Sequence, residues 1–307
     1  MKQWLAFWSL GLIWGSSFLL IKIVVEALGP LPLVSLRVGL AAALMIAYLQ
    51  ATHRLAKLRW SDVGGVAIAG FLNVALPFSL IARAEESIDS SLATILNSTV
   101  PLFSLVIAHF FLKDERLNLT RLLGLMIGYG GIIMLTWRGL QTAGASPLAG
   151  QVMMLGASLS YGIALVFIRA RLRHIESITI AGTTLLAASV MIIPLTLVSA
   201  PLPSASRFST DILAAVITLA VINTVAAYFL FYYLLDQWGT RASVVTYVFP
   251  PVGIALGAIF LNETVDASLL AGAALILGGV FAVNYKPGLG RWRKRKPASA
   301  PGGLFGD

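Results

Sequence analysis

The 307-residue sequence contains no cysteine, and only 11% of its residues are charged. The absence of cysteine excludes disulfide bonds, thiolate metal sites and cysteine nucleophiles. Because a soluble domain carries roughly 25% charged residues, the shortage of charge excludes an ordinary water-soluble fold. The three histidines, His53, His109 and His174, lack the spacing of metal ligands, and we expect neither a metal nor a cofactor.

Motifs of enzymes and of ATP-driven pumps are also missing. The sequence has no His-Glu-x-x-His motif, no recognisable Ser-His-Asp arrangement and no phosphate-binding glycine loop. These absences argue against an intramembrane enzyme and against a pump driven by ATP hydrolysis. The net charge of +9 is spread over loops and one tail, so it indicates membrane topology and no nucleic-acid partner.

Long apolar runs dominate the chain instead. Hydrophobic residues make up 58% of it, and the mean hydropathy is +0.88. The runs are about 20 residues long, which is the length that a helix needs to cross about 30 Å of hydrocarbon. We therefore predict an all-α membrane protein of ten transmembrane helices. The predicted spans cover residues 5–25, 33–49, 63–84, 92–112, 122–137, 149–168, 178–198, 212–235, 242–261 and 269–285.

The basic residues predict the orientation of these spans. With the N-terminus in the cytoplasm, all but five of the 22 basic residues lie on the cytoplasmic side, which is the pattern of the positive-inside rule. The five exceptions are Lys22, Arg37, Arg83, Arg138 and Arg207. We expect a multi-pass protein of an inner or plasma membrane, with both termini cytoplasmic and an uncleaved first span.

The last residues, 287–307, form a basic cytoplasmic tail that we expect to be disordered. It contains the run Arg291-Trp292-Arg293-Lys294-Arg295-Lys296. The run has two interpretations. It anchors the topology, or it binds anionic lipid head groups with roughly 1 kcal/mol per basic residue near the surface.

The two halves of the chain resemble each other. Residues 1–140 and 147–286 each hold five predicted spans, with matching residues in the same order. The matches pair Trp14-Gly15 with Tyr161-Gly162, Lys22 with Arg169, Asn73 with Asn223, Ala93-Thr94 with Ala242-Ser243, Pro101 with Pro250, Glu115 with Glu263, Gly124 with Gly272, and Gly130-Gly131 with Gly278-Gly279. Because five is odd, the second half enters the membrane from the opposite side. This makes an inverted repeat, the symmetry that alternating access uses.

Several short motifs follow one another along the chain. They are Leu12-Ile13-Trp14-Gly15-Ser16-Ser17-Phe18, Ser35-Leu36-Arg37, Pro101 followed by Leu112-Lys113-Asp114-Glu115-Arg116-Leu117, and the glycine-containing stretches 124–131 and 272–279. Together with ten spans and two repeats, these motifs resemble the EamA-like branch of the drug/metabolite transporter superfamily, over about Trp4 to Tyr285.

The resemblance implies a basket-like bundle with spans 1, 3, 4, 6, 8 and 9 around a central cavity. It also implies export or exchange of small metabolites. The second repeat departs from the family pattern at two places. Pro250-Pro251 stands where one proline is usual, and Asn262-Glu263 stands where a glycine-glutamate pair is usual.

Polar and aromatic residues in the middle of spans are the candidates for a substrate site. An unsatisfied polar group in hydrocarbon is costly, so such side chains should face other helices or a water-filled cavity. Trp14, Asn73, Tyr161 and Asn223 lie near mid-span and form two repeat-related pairs. Their symmetry predicts one central layer.

Prolines predict irregular helix in spans 4 and 9. Proline lacks an amide hydrogen and disturbs the carbonyl four residues earlier. Pro101 would free the carbonyl of Asn97. In span 9, Pro250-Pro251 would free those of Thr246 and Tyr247. These kinks either belong to a ligand site or are structural, with their carbonyls satisfied by neighbouring helices.

Tyr228 and Tyr232 are four residues apart and therefore share one face of the predicted span 8. With Trp14, Tyr161 and Tyr247 they would line a cavity suited to aromatic, amphipathic or cationic metabolites. Taken singly, each tyrosine is better explained by packing or by anchoring at the membrane interface.

Lys22 and Arg37 lie toward the outer ends of the first two predicted spans. They would attract an anionic substrate. The structural alternative is that both long side chains reach the interface, where Glu26 lies one turn from Lys22.

The positions of the acidic residues indicate whether transport is coupled to an ion gradient. Ion-coupled carriers usually hold a carboxylate within the membrane, whereas all 13 acidic residues fall at span ends, in loops such as that of Glu85, Glu86 and Asp89, or at the terminus. We therefore predict facilitated diffusion, exchange, or protonation of the substrate itself, unless Glu115 or Glu263 proves buried.

The sequence thus predicts a secondary transporter, an exporter or exchanger of small metabolites such as amino acids or aromatic compounds. The alternative is a channel-like or scaffold membrane protein without alternating access.

Overall fold

The computed structural model describes residues 1–55, 58–112, 117–143, 145–199, 201 and 203–284. Within these ranges the regular structure is helical throughout. Among the described residues, nine helices are long and apolar enough to cross a membrane, and a shorter apolar helix forms a tenth span. The predicted all-α membrane fold is confirmed. The predictions for Glu115 and for the basic tail 287–307 fall outside the described residues.

The ten spans are numbered in chain order. Spans 1 to 5 are Lys2–Leu28, Pro30–Ala51, Trp60–Ala84, Ser90–Phe111 and Leu119–Ala143. Spans 6 to 10 are Ala145–Arg171, Ser177–Ser199, Thr210–Leu235, Val244–Phe260 and Ala267–Asn284.

Spans 3 and 8 are irregular at the same place in the repeat. Span 3 changes from α-helix to π-helix over Phe71–Ala75, and span 8 does so over Thr218–Ala226. Asn73 and Asn223, which the repeat pairs, lie within these two segments. Such π-helical turns are rare in proteins, and those that occur are often found at functional sites.

Spans 4 and 9 each consist of two helical segments that meet next to a proline. In span 4 the junction lies between Asn97 and Val100, directly ahead of Pro101. In span 9 a 3-10 segment, Gly239–Val248, leads into an α-helix that has Pro250-Pro251 in its first turn. The first turn of a helix leaves its amide hydrogens unbonded, so proline is tolerated there.

Asn262 follows span 9 with a φ of 53°. This left-handed region favours glycine, and asparagine is among the few other residues that adopt it readily. Asn262 therefore adopts a backbone conformation that a glycine would also favour at this position.

Contacts between span ends divide the bundle into two opposite faces. The terminal face, which holds the N-terminus, contains the pairs Gln3–Gln237, Arg54–Glu176 and Asp62–His174. The far face contains the pairs Ala27–Arg207 and Ser90–Glu263. Successive span ends alternate between these faces, as ten crossings require.

The packing of the spans follows the pseudo-symmetry of the repeats. Spans 5 and 10, spans 2 and 7, and spans 4 and 9 are repeat-related pairs that pack against each other. Span 1 packs against spans 8 and 9, and its counterpart, span 6, packs against spans 3 and 4. The two halves are therefore interleaved rather than placed side by side.

Spans 5 and 10 meet backbone to backbone through glycine. A methyl group built on Gly279 would lie 2.6 Å from the Gly124 carbonyl oxygen and 2.6 Å from the Gly128 Cα. One built on Gly131 would lie 2.9 Å from the Gly272 carbonyl oxygen. Side chains do not fit at such distances, so the small residues here allow close helix packing.

The outer surface of the bundle is apolar. Large exposed side chains include Phe110, Ile133, Val190, Ile259 and Phe281. A surface of this kind is unfavourable in water and suits the hydrocarbon of a bilayer.

Candidate functional site

Arg37 of span 2 is buried in the bundle, with 8% of the residue exposed. Its Nε donates a hydrogen bond of 3.1 Å to Thr224 Oγ1 of span 8. Its guanidinium carbon lies 4.4 Å from the ring centre of Phe78 of span 3, a cation–π contact. Within the described part of the chain, no carboxylate forms an ion pair with Arg37. The guanidinium is therefore free to bind an anionic group.

Tyrosines from spans 6 and 8 lie near this arginine. Tyr161 and Tyr228 act on it electrostatically, and the ring centre of Tyr232 lies 6.2 Å from that of Tyr228. The residues Arg37, Phe78, Tyr161, Thr224, Tyr228 and Tyr232 are called the Arg37 cluster below. The cluster joins spans 2, 3, 6 and 8 and brings together four of the residues singled out in the sequence.

Asn223 ties span 8 to span 1 beside this cluster. It is 2% exposed, and its Nδ2 donates to the Ile13 carbonyl, to Ser16 Oγ at 3.2 Å and to Ser17 Oγ at 3.0 Å. Because Thr224 is the next residue, these bonds fix the segment that holds Arg37.

Hydroxyl groups of span 6 satisfy carbonyls in the irregular parts of spans 3 and 4. Ser160 Oγ donates to the Leu72 carbonyl at 2.7 Å, and Ser158 Oγ donates to the Leu96 carbonyl at 3.1 Å. Irregular backbone at membrane depth is stable when the protein supplies such partners. Span 6 therefore stabilises both irregular segments next to Tyr161.

Two predicted lining residues have other neighbours. The Trp14 ring centre lies 5.4 Å from that of Phe231 and 5.5 Å from that of Phe249, so Trp14 packs between spans 1, 8 and 9. Tyr247 accepts a hydrogen bond of 3.2 Å at its hydroxyl from Asn284 Nδ2. Its contact is with the end of span 10 on the terminal face.

Three further candidates, Asn73, Asn97 and Thr246, are half-buried. The Asn97 Oδ1 lacks a hydrogen-bond partner among the described residues. Neither Asn73 nor Asn97 is hydrogen-bonded to the Arg37 cluster within that part of the chain.

Lys22 is hydrogen-bonded to backbone carbonyl groups. Its Nζ donates to the carbonyls of Glu85 at 2.7 Å and Ile88 at 3.2 Å, and it lies 3.7 Å from Glu26 Oε1. A lysine beside the carbonyls at the end of a helix is favourably placed in the field of that helix. This arrangement fits the structural interpretation of Lys22.

A cavity of about 820 Å³ opens on the far face. It lies between the ends of spans 1, 2 and 3 and the segment that follows span 7. Its charged lining residues are Glu26, Arg83, Glu86 and Arg207. The volume is within the range of small-molecule sites, and charges of both signs suit polar or zwitterionic solutes.

Sequence reasoning missed Phe78, Thr224 and Glu85. Nothing in the sequence distinguishes Phe78, whereas Thr224 could have been found as the neighbour of Asn223. Glu85 was assigned to a loop with Glu86. In the structure it directly follows span 3 and is 0% exposed.

Comparisons with known proteins agree with this architecture. The model of the EamA-like transporter family matches the chain twice, over residues 3–137 and 148–285. These two ranges correspond to spans 1–5 and 6–10. One solved crystal structure matches this chain with a TM-score of 0.64, and the match covers 92% of this chain and 98% of the chain in that structure. At 19% sequence identity, it shows a shared fold.

Two bacterial relatives extend over nearly the whole chain. The uncharacterized transporter YoaV of Bacillus subtilis is 25% identical over 281 residues, which are 91% of this chain and 96% of YoaV. The uncharacterized inner membrane transporter YedA of Escherichia coli K12 is 29% identical over 305 residues, which are 96% of this chain and 94% of YedA.

Proposed function

Since this chain belongs to the EamA-like transporter family and is a multi-pass membrane transporter, we propose that it carries small metabolites with an anionic group by alternating access. Amino acids and aromatic carboxylates are the substrates that fit best. The proposal places both termini in the cytoplasm, in an inner membrane.

The burial of Arg37 without a carboxylate in ion-pair contact among the described residues carries this proposal. A buried cation is costly unless it is paired. A guanidinium also binds carboxylate or phosphate through two parallel hydrogen bonds. An anionic substrate would therefore supply the missing partner of Arg37.

The rest of the Arg37 cluster suits the remainder of such a substrate. Tyr161 and Tyr228 offer hydroxyl groups, and aromatic rings stack on apolar or aromatic parts of a ligand. The contacts with Phe78 and Thr224 fix the orientation of the arginine. A site that touches spans 2, 3, 6 and 8 contains parts of both repeats.

The pseudo-symmetry supports the transport mechanism. Inverted repeats allow a protein to exchange the conformations of its halves, so that a central site opens first to one membrane face and then to the other. The junctions in spans 4 and 9 and the π-helical segments in spans 3 and 8 are repeat-related positions where such a change can be accommodated.

The test is counterflow in liposomes that contain the purified protein. Labelled phenylalanine and a mixture of the other labelled amino acids are loaded inside, and unlabelled compounds are added outside. We expect saturable exchange that falls by about tenfold or more in Arg37→Gln, since a bidentate charged contact contributes several kcal/mol.

Arg173→Gln serves as the matched control, because Arg173 is exposed on the terminal face. Flux that does not saturate would support the channel-like alternative. Equal counterflow by the Arg37 and Arg173 variants would contradict the assignment of the substrate site.

A further inference from the structure

Glu85 is a buried carboxylate with no hydrogen bond to satisfy it. It follows span 3 directly and is 0% exposed. Neither Oε1 nor Oε2 has a hydrogen-bond partner among the described residues. Arg83, two residues earlier, and Glu86, the next residue, line the cavity of the far face, whereas Glu85 is buried in the protein.

Three charged groups face Glu85 from the elements around it. Lys22 of span 1, Arg37 of span 2 and Glu263, which precedes span 10, all act on it electrostatically. Lys22 directs its hydrogen bonds to the carbonyls of Glu85 and Ile88 rather than to the carboxylate. The two cations favour an ionised Glu85, and Glu263 opposes it.

The surroundings disfavour the charged form of Glu85. A buried carboxylate without hydrogen-bond donors is far more costly than a neutral carboxyl group. The end of span 3 adds the negative end of a helix dipole. Burial accordingly raises the pKa of Glu85 well above its ordinary range, and Glu263 acts in the same direction.

Arg37 connects this carboxylate to the proposed substrate site. It belongs to the Arg37 cluster, and its positive charge favours the ionised form of Glu85 against the effect of burial. An anion bound to Arg37 would offset that charge, so Glu85 would take up a proton more readily. By linkage, a proton on Glu85 would strengthen the binding of the anion to the same degree.

We propose that Glu85 is a proton-binding site that couples transport to a proton gradient, with the proton and the anionic substrate moving in the same direction. This inference rests on the proposed function. In each cycle the carboxylate accepts one proton from water at one face and releases it to water at the other, and no covalent bond to substrate forms. It differs from the uncoupled diffusion or exchange that the sequence predicts, and the experiments below distinguish the two.

The first experiment observes the proton directly. Infrared difference spectra of the purified full-length protein are recorded during a pH titration. We expect the Glu85→Gln variant to lose a carboxyl band that titrates above the ordinary range of glutamate, whereas Glu85→Asp retains a titrating band. The exposed Glu176 of the terminal face provides the control, Glu176→Gln. Identical titrating bands in wild type and Glu85→Gln would overturn the proposal.

The second experiment measures coupling with phenylalanine and the amino-acid mixture in liposomes. When the pH outside the liposomes is about one unit lower than inside, wild-type protein should accumulate labelled amino acid inside them by up to about tenfold. In Glu85→Gln we expect this accumulation to disappear. Counterflow at equal pH on both sides should fall much less than the gradient-driven accumulation does.

The outcomes separate the two proposals. Wild-type counterflow without any effect of the pH difference would overturn the coupling role and leave the proposed function standing. Gradient-driven accumulation by Glu85→Gln would do the same. Absence of all counterflow in wild type would overturn the proposed function together with the coupling that rests on it.

Discussion

Asn223 of span 8 donates a hydrogen bond of 3.0 Å to Ser17 Oγ of span 1. The same amide also donates to Ser16 and to the Ile13 carbonyl. Its repeat counterpart, Asn73, occupies the matching π-helical segment and is half-buried, and its side chain makes no hydrogen bond among the described residues. The pseudo-symmetry of the fold therefore does not extend to the bonding of its central amides.

This asymmetry predicts different effects of the same substitution. Asn223→Leu should lower the free energy of unfolding by about 1–2 kcal/mol, because interhelical hydrogen bonds in membranes contribute about that much. Asn73→Leu should change it by less than about 0.5 kcal/mol, as is usual for sites without such contacts. Unfolding of both variants in mixed micelles with increasing denaturant provides the comparison. Equal losses at the two positions would contradict the assigned role of Asn223.

The glycine contact between spans 5 and 10 predicts a sharp difference between neighbours. Gly279→Ala should destabilise the protein by about 1–3 kcal/mol, because the added methyl group overlaps the backbone of span 5. Gly278→Ala should be neutral or slightly stabilising, since its methyl group would meet nothing within 4 Å among the described atoms. Thermal unfolding in detergent measures both. A Gly279→Ala variant as stable as wild type would show that the two spans separate easily.

Glu85 predicts that stability falls as pH rises. Burial raises its pKa, so the folded protein holds a proton that the unfolded chain releases above about pH 4.3. Between that value and the folded pKa the native state binds more protons, and the free energy of unfolding decreases with pH, by up to about 1.4 kcal/mol per pH unit.

Glu85→Gln removes this dependence. We expect the variant to gain thermal stability relative to wild type at about pH 8 and little at about pH 5. Scanning fluorimetry at the two pH values, with Glu176→Gln as control, measures the difference. A constant difference between wild type and Glu85→Gln at both values would mean that Glu85 does not change protonation over this range.

The absence of cysteine from the sequence makes the orientation directly testable. Ser206 and Arg173 are exposed on the far and terminal faces, and each can be replaced by a single cysteine. With cytoplasmic termini, a membrane-impermeant maleimide should label Ser206→Cys in intact cells and Arg173→Cys only after the membrane is opened. The reverse pattern would invert the orientation.

Helix number and repeat order could be predicted from the sequence because both depend on local properties. Apolar runs report the length of a span, and Pro101 marks a position where helical hydrogen bonding is interrupted. The pairing of Asn73 with Asn223 predicted a common layer, and both residues lie in matching π-helical segments. The π-helix itself has no sequence signal of this kind.

The burial of Glu85 depends on tertiary contacts that sequence spacing does not show. Span 6 packs against the neighbouring residues through Gly150, where a methyl group would lie 3.0 Å from the Ala84 carbonyl oxygen and 2.8 Å from Ile88 Cγ2. Phe78 likewise gains its role only from the position of Arg37 on another helix. Such residues can be found once the packing of the spans is known.

The interleaving of spans 1 and 6 with the opposite halves has a consequence for biosynthesis. When the first five spans have left the ribosome, span 1 still lacks spans 8 and 9, and spans 3 and 4 still lack the serines of span 6. The emerging half-protein must therefore remain incompletely folded in the bilayer until its second half is inserted. A chain that stops near its midpoint would be a substrate for membrane proteolysis, whereas two separately encoded halves could assemble only if both were made in the same cell.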